Sequence, residues 1–105
     1  MTTFDDREKA YEAKYAHDAE MQFRAEARRN KLAGLWAAGL MGKTGAVADA
    51  YAMEVVKADF AEPGPDDVIR KLAADLGNLA DEATIRAKMD ELLSTAKVQL
   101  LDEAK

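Results

Sequence analysis

Several groups of side chains in this sequence have the types and spacing to do chemistry. Arg24, Arg28, Arg29, Asn30 and Lys31 form one dense basic cluster, and Trp36 follows it. Guanidinium forks and ammonium groups suit phosphate oxygens, an amide suits a base or ribose, and an indole face can stack. Arg28, Asn30, Lys31 and Trp36 are therefore a candidate nucleotide site. The same cluster also reads as a solvated helix face, with Trp36 packed inward between Leu35 and Leu40. The stretch Ala37-Ala38-Gly39-Leu40-Met41-Gly42-Lys43-Thr44 lacks only the first glycine of a phosphate-binding P-loop. A P-loop needs a strand before it, and a helical segment leads in here, so these glycines read as a turn with Thr44 as the next N-cap.

Phe4, Tyr11 and Tyr15 make a different kind of group. On a helix they fall within about 60° of one face, because steps of seven and four residues nearly close whole turns. The stripe has two readings. Its rings fold back as accessory core, or they form one face of a helix that orders in the apolar cleft of a partner. Asp5, Asp6, Arg7, Glu8, Lys9, Glu12 and Lys14 surround it with both signs of charge, which suits the rim of a protein contact. His17 is the only histidine and cysteine is absent, so neither a metal site nor a hydrolytic triad is expected. Asp66-Asp67 and Asp81-Glu82 sit where helices should start, and dipole stabilisation accounts for them. No nucleophile and base belong together, so no catalytic residue is assigned.

The elements that position these groups are helical throughout. Alanine, leucine, glutamate and lysine dominate the 105 residues, and no β-branched run alternates with period two. The glycines at 39, 42 and 45, the Pro63-Gly64-Pro65 turn and Gly77-Asn78 divide the chain into four helices. The first is expected from Phe4 to Met41 with Thr3 as N-cap, and the second from Gly45 to Phe60 behind Thr44. The third opens with Pro65 in its first turn and runs to Leu76, and the fourth runs from Glu82 to Glu103 behind Asp81. Apolar stripes recur at Leu32, Leu35, Trp36 and Leu40, at Val47, Tyr51 and Val55, and at Ile69, Leu72 and Leu76. Ile85, Met89, Leu92, Ala96 and Leu100 make the last.

Such stripes on short-looped helices predict an all-α, small four-helix bundle. Every Leu, Ile and Val lies at or after Leu32. An unbroken first helix would be about 57 Å long, so its first half is expected to overhang the core as a mobile N-terminal arm. The division is residues 1–19 as arm and 20–105 as bundle.

Fifteen basic residues against twenty acidic ones give a net charge of −5, which disfavours nucleic acid and anionic membrane as partners. No stretch approaches the ~18 apolar residues of a membrane span, and MTTFDDREK has no apolar leader pattern. A cytoplasmic location without direct membrane insertion is the expectation.

The run TFDDREKAYEAKYAHDAEMQFRAEARRNKLAGLWAAGLMGKTG, with AYAMEVVKADF and IRAKMDELL, closely resembles the zeta subunit family of alphaproteobacterial ATP synthases, most specifically from Ala25 to Ala38. The resemblance implies a four-helix bundle that binds ADP or ATP and inhibits ATP hydrolysis. Inhibition would come from its N-terminal segment entering the catalytic head near an α/β subunit interface. Phe4, Asp5, Arg7, Glu8, Ala13, Lys14, Ala16, His17 and Asp18 match the family's N-terminal pattern. Tyr11 and Tyr15 stand where phenylalanine is more usual, and Gly39 replaces a charged helix former.

The expected function is therefore a non-enzymatic regulator on the cytoplasmic face of the ATP synthase, with the α, β and γ subunits of the head as partners. Phe4, Asp5, Arg7, Glu8, Tyr11, Lys14 and Tyr15 form the partner-binding arm. No cofactor is required, and ADP or ATP is a weak ligand. The alternative is an adenine-nucleotide-binding bundle that senses ATP or ADP with little inhibition.

Overall fold

The computed structural model describes residues 3–59 and 64–103. All regular structure among them is helical: α1 (Thr3–Tyr15), α2 (Ala19–Leu40), α3 (Gly45–Lys57), α4 (Asp66–Leu76) and α5 (Glu82–Glu103). A single 3-10 turn covers Gly77–Leu79. The all-α class is as expected, but the helices number five. The long first helix is two, broken over residues 16–18, and the chain's greatest dimension is 38 Å. An unbroken helix of about 57 Å would not fit inside it. Asp18 makes the break. Its backbone is extended (φ −98°, ψ 101°), and its carboxylate accepts the Met21 amide at 3.1 Å. That satisfies one of the amides a new helix leaves open and lets α1 turn back on the bundle.

Helices α2, α3, α4 and α5 share the main core. Ala33, Ala37 and Ala38 from α2 meet Tyr51 and Val55 from α3, Val68, Ile69, Leu72 and Leu76 from α4, and Ile85 and Met89 from α5. The buried face of α2 is thus rotated away from the expected Leu32, Leu35, Trp36 and Leu40 stripe. Leu40 is exposed, and the other three are only half-buried. The cause is Gly34. A Cβ there would lie 2.7 Å from the Ala52 Cα, so α2 and α3 approach backbone to backbone along small residues. On α3, Tyr51 and Val55 are buried as expected, together with Ala52, while Val47, in the first turn of the helix, is exposed.

Two polar residues are buried with them. Arg29 Nε donates to Asn30 Oδ1 at 3.1 Å, and Asn30 Nδ2 donates to Asp59 Oδ2 at 2.8 Å, tying α2 to the end of α3. Burial pushes the Arg29 guanidinium down from its ordinary range, while the carboxylates of Glu26, Asp59 and Asp90 act in the opposite direction.

The remaining boundaries follow local chemistry. Helix α5 has the expected limits, and Asp81 accepts the Thr84 amide at 2.8 Å. Helix α4 starts at Asp66, one residue later than expected, with Pro65 at the cap position and not in the first turn. Thr44 stands at the α3 cap position, but its side chain makes no capping bond. Helix α3 ends at Lys57; Phe60, its expected last residue, and Pro63 lie outside the described residues, as does the Thr3 side chain.

Candidate functional site

The expected arm residues lie on α1, and α1 lies along α5. Tyr11 is fully buried with Ala25 and Leu100 in a second, smaller core, against which Tyr15, Met21, Leu93 and Leu101 pack. Its hydroxyl donates to the Met21 carbonyl at 2.8 Å, and its ring meets that of Tyr15 at 5.1 Å between centroids. Burial raises the Tyr11 phenol above its ordinary range, so it stays protonated and keeps donating.

Polar contacts flank the ring on both sides. Arg7 pairs with Asp102, Lys97 with Glu12 at 2.8 Å, and Ser94 Oγ donates to Glu8 at 2.8 Å. Phe4, Asp5 and Lys14 are exposed, with the Lys14 ammonium 5.3 Å from the Tyr15 ring centroid. The structure therefore corrects the picture of a projecting arm whose rings bury little until a partner arrives. Tyr11 and Tyr15 fold back as accessory core while Phe4 stays exposed, because Tyr11 finds both an apolar slot and a carbonyl for its hydroxyl.

The candidate nucleotide residues are not brought together. Arg28 and Lys31 line one groove, but Arg28 is paired with Glu103, its Nη2 donating at 2.9 Å. That bond raises the guanidinium further and holds the Glu103 carboxyl below the usual carboxylate range. Asn30 is buried and committed to Asp59. Trp36 packs against the main core, with Lys88 Nζ 5.8 Å from its ring centroid. A base bound there would find the Asn30 amide already engaged and the half-buried Trp36 ring packed against the core on one side.

The groove holds about 360 Å³. Its apolar lining comes from Phe23 on α2, Met53 and Val56 on α3, and Leu100 on α5. Arg24, Arg28 and Lys31 form a basic edge. Phe23 and Met53, which the sequence reading passed over, are 68% and 47% exposed. The signal was present: Phe23 stands directly beside the basic run, one residue before Arg24.

The near-P-loop is a helix terminus. Gly42 has φ 76°, its amide donates to the Gly39 carbonyl, and the Lys43 amide donates to the Ala38 carbonyl at 2.8 Å. This pairing closes a helix through a left-handed residue. Nearby, the Tyr51 hydroxyl donates to Asp75 at 2.7 Å and Lys71 does so at 3.0 Å, bracing α3 against α4. Burial raises the Tyr51 phenol, and the bond to Asp75 adds to the shift. Partial burial pushes the Asp75 carboxyl up, but the bonds from Tyr51 and Lys71 outweigh it and leave the group below its ordinary range. His17 is exposed in the α1–α2 turn. Among the described residues no three His, Asp or Glu side chains gather as a metal site, and no helix is long and apolar enough to cross a membrane.

These features define an all-helical protein with one short terminal helix laid along α5 and tied to it by the Arg7–Asp102 and Glu12–Lys97 ion pairs. The family model for ATPase inhibitor subunit zeta matches residues 1–99, and the chain belongs to that family. It is a regulatory inhibitor subunit by that membership. A protein whose structure was solved in solution by NMR is 59% identical to this chain. The match covers 79% of this chain and 98% of that one, with a TM-score of 0.74. No curated protein matches.

Proposed function

We propose that the chain suppresses ATP hydrolysis by the ATP synthase catalytic head, with α1 as the inhibitory element and α2–α5 as the scaffold that carries it. The observation behind this reading is the nature of the α1–α5 contact. Exposed and half-buried ion pairs and a single buried ring hold α1 down, and the 16–18 turn supplies a joint. Surface ion pairs contribute only about 0–1 kcal/mol each, so a partner that offers Tyr11 and Tyr15 an apolar cleft can compete with α5. Inserted between moving subunits, an ordered helix blocks their conformational cycle. Phe4, Asp5, Arg7, Glu8, Tyr11, Lys14 and Tyr15 would then face the α, β and γ subunits on the cytoplasmic side.

The test is an ATPase assay of the purified head with the full chain and with residues 1–19 deleted. The full chain should inhibit and the shortened one should not; equal inhibition by both would remove α1 from the role.

The nucleotide-sensing reading retains Arg28 and Lys31 as phosphate contacts on the groove. Titrating ADP while following backbone amide shifts checks it. Shifts around residues 28–31 support it, and silence at millimolar ADP removes it.

A further inference from the structure

We infer that the groove between α2 and α3 is a docking site for an acidic amphipathic helix of the ATPase head, separate from whatever α1 binds. The inference rests on the head being the partner, but not on α1 being the inhibitory element.

Charge complementarity argues for the occupant. The chain carries net charge −5, yet Arg24, Arg28 and Lys31 stand together on one edge of this groove. They are spaced i, i+4, i+7, so they follow one side of α2 over about 10 Å, the span of two turns of a partner helix. Arg24 pairs with Glu20 at 2.6 Å and Arg28 with Glu103, both at the surface, so a partner's carboxylates at helical spacing would meet Lys31 directly and exchange with these two. Glu103 already pairs with Arg28, which shows that this position takes a carboxylate. Lys31 makes no ion pair among the described residues.

The apolar lining fits the same occupant. Phe23 stands as a ridge between this groove and a narrower cleft that Val56 and Asp59 also line. Both sides of its ring are therefore open to an elongated partner. Large exposed apolar side chains beside arginines are the composition of protein contact surfaces. Phe23, Met53, Val56 and Leu100 offer a base edge no side-chain hydrogen-bonding group. Asn30, on the adjoining cleft, is held by Asp59, and the Gln99 amide oxygen accepts from Arg28 at 3.4 Å. A nucleotide suits the edge but not the lining.

The full chain should carry a photoreactive benzophenone residue in place of Met53, be irradiated with the purified head, and have its crosslinked peptides sequenced. The expected product joins position 53 to a helical segment of the head rich in Asp and Glu. In parallel, Phe23→Ser with Met53→Ser should weaken binding to the head by about tenfold or more. The thermal unfolding midpoint should hold, since both side chains are exposed. Arg24→Glu, on the rim, repeats the test without touching the apolar lining and should weaken binding most at low salt.

Unchanged binding by these variants, a crosslink only to a second copy of this chain, or ADP-induced shifts centred on Phe23 and Met53 would each overturn the assignment. If the wild-type chain inhibits the head and the variants bind it equally well, only the groove fails. If the wild-type chain does not bind the head at all, the proposed function fails with it.

Discussion

The α2–α3 contact and the α1–α5 contact are built from opposite materials. The first brings two backbones together along Gly34, Ala37, Ala38 and Ala52, with Tyr51 and Val55 filling the flanks, and it leaves no room for a single added Cβ at Gly34. The second has one fully buried ring, Tyr11, with Tyr15, Leu93 and Leu101 only partly buried around it, and is flanked by Arg7–Asp102, Glu12–Lys97 and Glu8–Ser94. Dispersion and apolar burial resist salt and do not come apart in steps. Ion pairs open to solvent are screened and contribute little singly. One contact is a fixture and the other is a clasp. The release of α1 proposed above, with α2–α5 intact, requires that asymmetry.

The largest effect is expected from damage to the fixture. Gly34→Ala should lower global stability by about 1–3 kcal/mol. This holds although alanine favours a helix by up to about 1 kcal/mol over glycine, because the obstacle is the Ala52 backbone and not a side chain that can swing away. Denaturant unfolding would show it, with amide exchange accelerated in all of α2–α5.

Tyr11→Phe should cost about 1 kcal/mol by removing the bond to the Met21 carbonyl. The loss should be confined to α1, where amide exchange rises while α2–α5 keep their protection. Equal acceleration in both regions would mean that the two contacts form one cooperative unit.

Lys97→Ala should loosen α1 by up to about 1 kcal/mol, and raising NaCl toward 1 M should loosen it in the wild type as well. Exchange in α3 should not respond to salt. The smallest effect is expected at Asp75, which braces the fixture from outside. Its carboxyl is held below the ordinary range, so its contribution is fully present above the unfolded value of about 3.9. That contribution is lost as pH falls through the folded value. Solvent screening limits it to about 0.5 kcal/mol. Asp75→Asn should flatten the fall of the unfolding midpoint below about pH 4 and leave the clasp unaffected.

Local chemistry was legible in the sequence, and choices between competing packings were not. Helix α5 has the limits read from Asp81 and an unbroken helical run, and the near-P-loop is the glycine turn its helical lead-in implied. The break at Asp18 escaped because the residues on both sides are good helix formers. What decides it is the slot for Tyr11 between Ala25 and Leu100, which exists only once α5 is in place. The buried face of α2 was misjudged for a related reason. Leu32, Leu35 and Leu40 carry more apolar surface than Ala33, Gly34 and Ala37, but only the small residues admit α3 so closely. The candidate site fared similarly. Arg28 and Lys31 do share a groove, while helical rotation sends Asn30 to Asp59 and Trp36 to the core. Phe23 became visible as a site residue only through its exposure.

If α1 must leave α5 to inhibit, a tether between the two helices abolishes inhibition. The chain has no cysteine, so Glu12→Cys and Lys97→Cys, at an ion pair that joins α1 to α5, give a unique pair for a short bismaleimide crosslink. The uncrosslinked double variant should inhibit the purified head, and the crosslinked one should not, with its folded spectrum unchanged. Full inhibition by the crosslinked chain would contradict the account.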